Sequence, residues 1–277
     1  MDIILYNPLS RNGRNPKFIK KIAKKISSTQ TPKIKNILDI VDVDQFLHTL
    51  KKDDRIIIVG GDGTLNRIVN RMYGKHIEQD VFMYKAGTGN DFMRSLKSKH
   101  PLISIKAYIQ DLPAVYFQDR KQYFLNGAGV GLDGYIGYLV NMSSKKKNKL
   151  NYFKNAFKGF LKFKPIEANI QIDDQNIELK KVWLASIMHG PFFGGGMKIA
   201  PQADRLKKEL HVVVVKDIPK WLLMIIFPTI YLGIHPIFKR YVTIYKAQEV
   251  SLSFKAPTYM QIDGDHEFPI TSVQCHT

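Results

Sequence analysis

The sequence predicts an α/β domain followed by an all-β one: a doubly wound sheet over residues 1–118 and an antiparallel β-sandwich over 119–267, with the tail 268–277 returning to the first domain. Three observations carry this. Strand-like and helix-like segments alternate along the first part, a continuous β-branched run stands at Arg55-Ile56-Ile57-Ile58-Val59, and after about Asp119 the pattern turns to short strands and turns.

In order, Ile3 to Tyr6 reads as a strand. A helix follows from Pro16, its apolar Phe18, Ile19, Ile22 and Ile26 set among Lys17, Lys20, Lys21, Lys24 and Lys25. A second strand is expected from Ile37 to Val41 and a helix near Val43 to Leu50. The 55–59 run suits a strand buried on both faces of a parallel sheet, then come a helix from Thr64 to Met72 and a strand from Val81 to Tyr84. Repeated β-α units imply right-handed crossovers. In the second part strands are expected at Gln122 to Leu125, Ala168 to Ile172, Ile177 to Leu179, Val182 to Met188, Leu210 to Val215, Tyr241 to Tyr245 and Val250 to Phe254. Asp173-Asp174-Gln175-Asn176 marks a hairpin turn.

Composition narrows the function classes. Of 277 residues, 44% are hydrophobic and 24% charged, which suits a packed globular protein. The one cysteine, Cys275, excludes an internal disulfide framework and a multi-cysteine zinc site, and a reducing, cytoplasmic setting follows as the expectation. Met1 to Tyr6 has no basic n-region, so no signal peptide is expected. The apolar segment from Trp221 to Ile234 is interrupted by Pro228 and is too short to cross a bilayer. It reads as a buried core helix, with an acyl-pocket floor as the alternative.

The chemistry gathers at turns. Val59 ends a buried strand, Gly60-Gly61-Asp62-Gly63 is a tight turn, and Thr64 to Asn66 opens a helix, so backbone N–H groups and a helix N-terminus converge on one anion-binding point. Glycine lets backbone approach phosphate without a Cβ in the way, and Asp62 can hold Mg²⁺ or accept a proton. One strand later Lys85-Ala86-Gly87-Thr88-Gly89-Asn90-Asp91-Phe92-Met93-Arg94 repeats the design, and Asn7-Pro8-Leu9-Ser10-Arg11-Asn12-Gly13-Arg14 follows the first strand. All three loops fall at the carboxyl edge, where open α/β sheets bind ligands. Gly129-Val130-Gly131-Leu132-Asp133-Gly134 also satisfies the dinucleotide pattern Gly-x-Gly-x-x-Gly. It comes too late for a first β-α turn, and Lys145 to Lys149 stand where the ribose-binding acid belongs.

These runs resemble the bacterial lipid kinases related to diacylglycerol kinase and sphingosine kinase. The likeness rests on Asn7-Pro8, on Gly60-Gly-Asp-Gly-Thr-Leu-Asn66, on Gly87-Thr-Gly-Asn-Asp-Phe-Met-Arg94, on Asn126-Gly-Ala-Gly-Val-Gly-Leu-Asp133, on Gly194-Gly-Gly-Met-Lys-Ile-Ala-Pro201 and on Asp263-Gly264-Asp265. It implies a nucleotide-binding α/β domain, a lipid-holding β-sandwich, and catalysis in the cleft between them. ATP and Mg²⁺ would be the cofactors, and the expected place is in phospholipid synthesis at the inner face of the membrane. Phosphate and nucleotide contacts are expected from Asn7, Ser10, Arg11, Gly60, Gly61, Gly63, Thr64, Asn66, Thr88 and Asn90. Asp62 and, by resemblance, Asp133 are the metal ligands, Asp133 being brought to the cleft by a domain-joining turn.

Resemblance also places the catalytic base at the second acid of an Asp-Gly-Glu motif, which here is Asp265. Asp263 and Glu267 share the alternate strand phase, and either can contribute. Relatives that carry an Asp-Gly pair after the 194–201 motif have Lys207 opposite them here, so the lysine ammonium is expected to replace a structural cation, assisted by Arg205 or Lys208. An NAD kinase accounts for the 60–63 turn but not for the 87–94 loop or Asp263-Gly264-Asp265. A lipid-binding protein that has lost catalysis is the alternative suggested by Asp265. A net charge of +18, from 42 Lys and Arg against 24 Asp and Glu, asks for anionic partners. No nucleic-acid-binding motif is present, so an anionic phospholipid surface is expected instead. Leu150, Phe153, Phe157, Phe160 and Leu161 alternate with Lys154, Lys158 and Lys162 as in an interfacial helix, the alternative being a helix whose Phe face packs on the sandwich.

Overall fold

A computed structural model describes residues 1–9, 15–26, 31–86, 90–142 and 157–277. The chain divides into two compact units, Met1–Asp111 and Leu112–Thr277.

In the first unit, β1 (Asp2–Tyr6), β2 (Lys33–Asn36), β3 (Arg55–Gly60), β4 (Asp80–Lys85) and β5 (Leu102–Ser104) form a sheet in the order β2-β1-β3-β4-β5. All neighbours are parallel except β4 and β5. The helices are α1 (Asn15–Ile26), α2 (Val43–His48), α3 (Asp62–Met72) and α4 (Asp91–Ser95). Ile4, Ile57 and Val59 pack with Ile19, Ile22 and Ala23 of α1. Residues of opposite parity, Ile3, Leu5, Ile56 and Ile58, are buried too. Both faces are therefore covered, which is what the uninterrupted apolar run of β3 requires. The strand expected from Ile37 to Val41 is displaced: β2 precedes it, and Ile37–Asp39 is a 3-10 turn capped by Asn36, whose side chain accepts from the Leu38 N–H at 3.0 Å. As an edge strand with exposed lysines, β2 lacks an apolar signature.

The second unit holds β6 (Ala114–Phe117), β7 (Arg120–Tyr123), β8 (Gly127–Gly131), β9 (Ile166–Ile172), β10 (Gln175–Met188), β11 (Leu210–Lys216), β12 (Val242–Ala247), β13 (Glu249–Ile262) and β14 (Asp265–His276). The order is β12-β11-β10-β8-β13-β14-β6-β7, with β9 pairing β10 and β13, and every described pairing is antiparallel. The long strands β10 and β13 change register near Leu179 and Val182, and between Ser253 and Met260, so each serves two parts of a sandwich-like fold. In β11, Val212 and Val214 enter the sandwich core while Val213 and Val215 face a second core with the helices α5 (Leu132–Met142), α6 (157–162) and α7 (Lys220–Ile226). The run of four valines, Val212 to Val215, is thus buried on both sides.

The domain expectation needs two corrections. The boundary falls after Asp111, not at 118, because β6 and β7 pair into the second sheet. The tail 268–277 does not return to the first unit, since it is the body of β14, laddered to β13 and β6. The hairpin expected at Asp173 and Asp174 is present, with Ile172 paired to Gln175. The segment from Trp221 to Ile234 is not plain core. Leu223, Ile226 and Ile230 of α7 and α8 (Thr229–Leu232) are buried, whereas Trp221, Ile225 and Leu232 face outward.

Candidate functional site

In the first unit the sheet brings three chain turns to one edge. Tyr6 pairs with Val59, Val59 with Tyr84 and Gly60 with Lys85, so β1, β3 and β4 end side by side and release Asn7, Gly61 and Ala86 there. Adjacent parallel strands lie about 4.8 Å apart, which spaces the outer two by roughly 10 Å, a polyphosphate's reach. The Leu9 N–H donates to Asn7 Oδ1 at 3.0 Å, folding the first loop back as a local turn. The Ala86 N–H donates to the Gly60 carbonyl at 3.0 Å, tying the third turn to the second.

Gly61 caps α3 with no side-chain bond, leaving the helix N-terminus to its backbone donors. A Cβ on Gly60 would lie 2.5 Å from Thr64 Cβ, whereas one on Gly63 would meet nothing within 4 Å among the described residues. Thr64 and Asn66 are on the buried side of α3, where Asn70 Nδ2 donates to the Asn66 carbonyl and Oδ1 at 3.0 and 3.3 Å. Asp62 links the two glycine loops. Its Oδ2 accepts the Asp91 N–H at 2.8 Å and its Oδ1 the Phe92 N–H at 3.1 Å, so it caps α4, which follows the 87–90 loop. Asn90 is buried directly ahead of α4. Ser10, Arg11 and Thr88 lie outside the described residues.

In the second unit the two acids of Asp263-Gly264-Asp265 do different work. Asp263 and Gly264 have φ of +48° and +96° and make the two-residue turn joining β13 to β14. The Asp263 carboxylate accepts from the backbone N–H groups of Leu125, Asn126 (2.8 Å) and Gly127 (3.1 Å), and so clamps the chain entering β8. Asp265 is exposed, and its carboxylate makes no hydrogen bond or ion pair among the described residues. Glu267, the other acid in phase, is held by Arg120 Nη2 at 2.7 Å. Asp133 lies in the first turn of α5, where its Oδ2 accepts from Ser186 Oγ at 3.0 Å and its Oδ1 from the Gly134 N–H at 2.9 Å. Burial outweighs these bonds and raises its pKa to about 6.

The segment around Asp133 does not join the domains, as the resemblance implied, because β8 lies inside the second sheet between β10 and β13. Lys207, expected to stand in a cation's place, is exposed. Arg205, two residues earlier, is the buried cation. Its guanidinium donates to the Leu125 carbonyl and to Asn126 Oδ1 (2.5 Å), while the Asn126 carbonyl accepts from the N–H groups of His189 and Gly190 at 2.9 and 3.1 Å. Burial, and then the Arg205 charge, lower the His189 pKa to about 4. This clamp is missing from the sequence reading because its partners lie about 80 positions away, with only a lone arginine as signal.

Two family profiles divide the chain along the structural boundary. Residues 3–112 match the diacylglycerol kinase catalytic domain, and 127–274 match the YegS C-terminal NAD kinase beta sandwich-like domain. The chain belongs to the diacylglycerol kinase catalytic-domain family. A Bacillus subtilis protein provisionally named as a lipid kinase, YtlR, is 29% identical over 234 residues, covering 76% of this chain and 74% of that one. A Mycobacterium tuberculosis protein named diacylglycerol kinase is 24% identical over 194 residues, covering 67% of this chain and 62% of its own length. A crystal structure of a provisionally named diacylglycerol kinase from Bacillus anthracis superposes with a TM-score of 0.72 at 19% identity, over 99% of this chain and 93% of that one, and shares the family fold.

Magnesium in nucleotide sites keeps several waters and takes one or two carboxylates together with phosphate oxygens. Asp62 suits that donor set as a carboxylate in the turn itself, its Oδ2 and Oδ1 oriented by the Asp91 and Phe92 N–H groups. Among the described residues no group of three or more His, Cys, Asp or Glu gathers as a metal cage. No described helix is long and apolar enough to cross a membrane.

Proposed function

We propose that this chain is a lipid kinase that transfers the γ-phosphoryl group of MgATP to a hydroxyl of a membrane lipid, a diacylglycerol-like alcohol. The observation that carries the reading is the Asp62 bridge. One carboxylate fastens the Gly-Gly-Asp-Gly turn to the helix behind the second glycine loop, so two anion-binding turns are held together at one sheet edge.

Phosphoryl transfer asks mainly for positioning and charge neutralisation. Gly60, Gly61 and Gly63 offer backbone N–H groups to the phosphates, with Asn7, Thr64, Asn66 and Asn90 shaping the turns around them. Ser10, Arg11 and Thr88 are assigned to the same contacts from their positions in the motifs. Asp62 would hold magnesium, which when bound neutralises charge on the phosphate oxygens; Asp133 is assigned as a metal ligand from its position in the motif alone. Asp265 accepts the proton of the lipid hydroxyl as the oxygen attacks the γ-phosphorus and ADP leaves. A base needs an uncommitted carboxylate, which distinguishes Asp265 from Asp263, with its three backbone donors, and from Glu267, with Arg120. The reading places the enzyme at the cytoplasmic face of the membrane as a peripheral protein.

The test is transfer from labelled ATP into a lipid extract, with the products identified by mass spectrometry. Asp265→Asn should lower kcat by about 10²–10⁴-fold, the usual worth of a general base, with no change in melting temperature. Asp265→Glu should keep most of the activity. Label appearing on NAD, or an Asp265→Asn protein as active as the wild type, would overturn the reading.

A further inference from the structure

The second unit exposes an apolar face that its own core does not use. Trp221 and Ile225 on α7, Leu232 on α8 and Ile237 beyond it are 64%, 65%, 71% and 66% exposed, at spacings that keep the helical residues on one side. The alternate positions Leu223, Ile226 and Ile230 are buried, so the helices are anchored from beneath while their outer stripe stays bare. The face continues onto α6. Phe160 is buried with its ring 4.7 Å from that of Phe227, Lys220 Nζ donates to the Leu161 carbonyl at 2.7 Å, and Phe157 and Leu161 point outward beside them. Soluble monomers rarely leave contiguous apolar surface of this kind uncovered.

Charge selects the occupant. Residues 218–248 contain no Asp or Glu, and the cations at the edges of the face, Lys158, Lys162, Lys239 and Arg240, are exposed. A second copy seated on the same face would bring like charges together, in a chain whose net charge is already +18. An apolar stripe carrying a tryptophan and rimmed by cations fits a bilayer surface with anionic headgroups, where the ring sits at the headgroup level and the cations meet phosphates. The helices are too short to span, so they lie in the interface.

We propose that α6, α7, α8 and the turn at Ile237 form a docking face that inserts shallowly into an anionic lipid bilayer. The inference rests on the lipid-kinase reading only for its purpose, bringing the protein to its acceptor; the face itself stands on exposure and charge.

Two tryptophans make the test direct. Trp183 is buried, its Nε1 donating to the Ile218 carbonyl at 2.9 Å, and Trp221 is exposed. With vesicles of equimolar phosphatidylcholine and phosphatidylglycerol, the full-length protein should co-sediment, and lipids brominated near the headgroup should quench Trp221 but leave the emission remaining in Trp221→Phe unchanged. Binding should weaken with salt and on pure phosphatidylcholine. Trp221→Glu combined with Leu232→Glu should reduce vesicle binding by about 100-fold, since charged residues replace the inserted apolar groups, while leaving kinase activity on a detergent-dispersed short-chain lipid intact. Unquenched Trp221 on vesicles that bind the protein overturns the docking face without touching the kinase reading. So does a self-association that the double variant abolishes. A wild-type protein that docks as described but phosphorylates no lipid in either form leaves the docking face standing and overturns the kinase reading.

Discussion

Of the glycine-rich turns that lead from strand to helix, those after β3 and β8 put their glycines to opposite uses. At Gly127–Gly131 and the start of α5 the space is filled by protein. A Cβ on Gly129 would lie 1.7 Å from Asp133 Oδ2, one on Gly134 would lie 2.6 Å from the Tyr259 carbonyl group, and Gly131, at φ +101°, passes 2.7 Å from the Trp183 carbonyl oxygen by the same measure. At Gly60–Gly63 the first glycine makes room for Thr64, but a Cβ on Gly63 meets none of the described residues, and its backbone angles are ordinary. A glycine that packing explains is part of the core. One that no described residue explains leaves its backbone open to something that approaches from outside, which on the proposed function is phosphate. The Gly-x-Gly-x-x-Gly spelling is the same whether the glycines meet a ligand or a neighbouring strand.

The largest effect on stability is expected from Gly134→Ala. The added methyl meets the backbone of β13, which cannot swing aside as a side chain can, and overpacking of this kind costs about 3 kcal/mol. Urea unfolding of the variant measures it. An unchanged midpoint would show that this turn has slack and would remove the contrast with Gly63.

The support beneath the Gly127–Gly131 turn is expected to be sensitive to acid. His189 is buried beside Arg205, and its Nε2 lies 3.1 Å from the Arg205 carbonyl. Its folded pKa of about 4 is below the ordinary 6.5. The unfolded chain therefore binds this proton first as pH falls, so stability is complete above pH 6.5 and is lost as pH drops through that range toward 4. A shift of this size corresponds to about 3 kcal/mol. Unfolding free energies of the wild type and His189→Gln, compared at neutral pH and near pH 4.5, should show the wild type losing about 2 kcal/mol more than the variant. Parallel losses would mean that His189 is not the group that titrates.

Much of the first unit was legible because burial on both faces writes itself into composition: β3 could be read from Ile56, Ile57, Ile58 and Val59 alone, and the turn after it from its glycines. The edge strand β2 was not, since Lys33 and Lys35 are exposed and the apolar Ile37 belongs to the turn beyond. In the second unit short apolar runs mark strands but not their extent, so β10 reads in sequence as two pieces and the later half of β13 carries no run that marks it. Roles that depend on distant backbone were hidden. Asp62 as the cap of α4, Asp263 as the clamp on residues 125–127 and Arg205 as the buried cation all bond to groups that only the fold brings near. Periodicity also could not say that the outer stripe of α7 would stay uncovered, because an apolar residue looks the same in sequence whether or not anything packs on it.

The smallest change is the most diagnostic. Gly63 occupies the first turn of α3, is exposed, and has room for a methyl group. Replacing an exposed helical glycine by alanine ordinarily stabilises a protein by about 0.5–1 kcal/mol, through lower backbone entropy in the unfolded chain. Gly63→Ala should therefore melt slightly higher than the wild type. The same methyl group stands where phosphate would approach the backbone, so the KM for ATP should rise about tenfold or more, in line with the loss of one close backbone contact to an anion. A gain in stability paired with a loss of nucleotide affinity has no explanation in packing against the described residues, none of which the methyl touches. If stability rises and ATP affinity is unchanged, Gly63 is a tolerated residue rather than a functional one, and the difference between the two turns reduces to crowding alone.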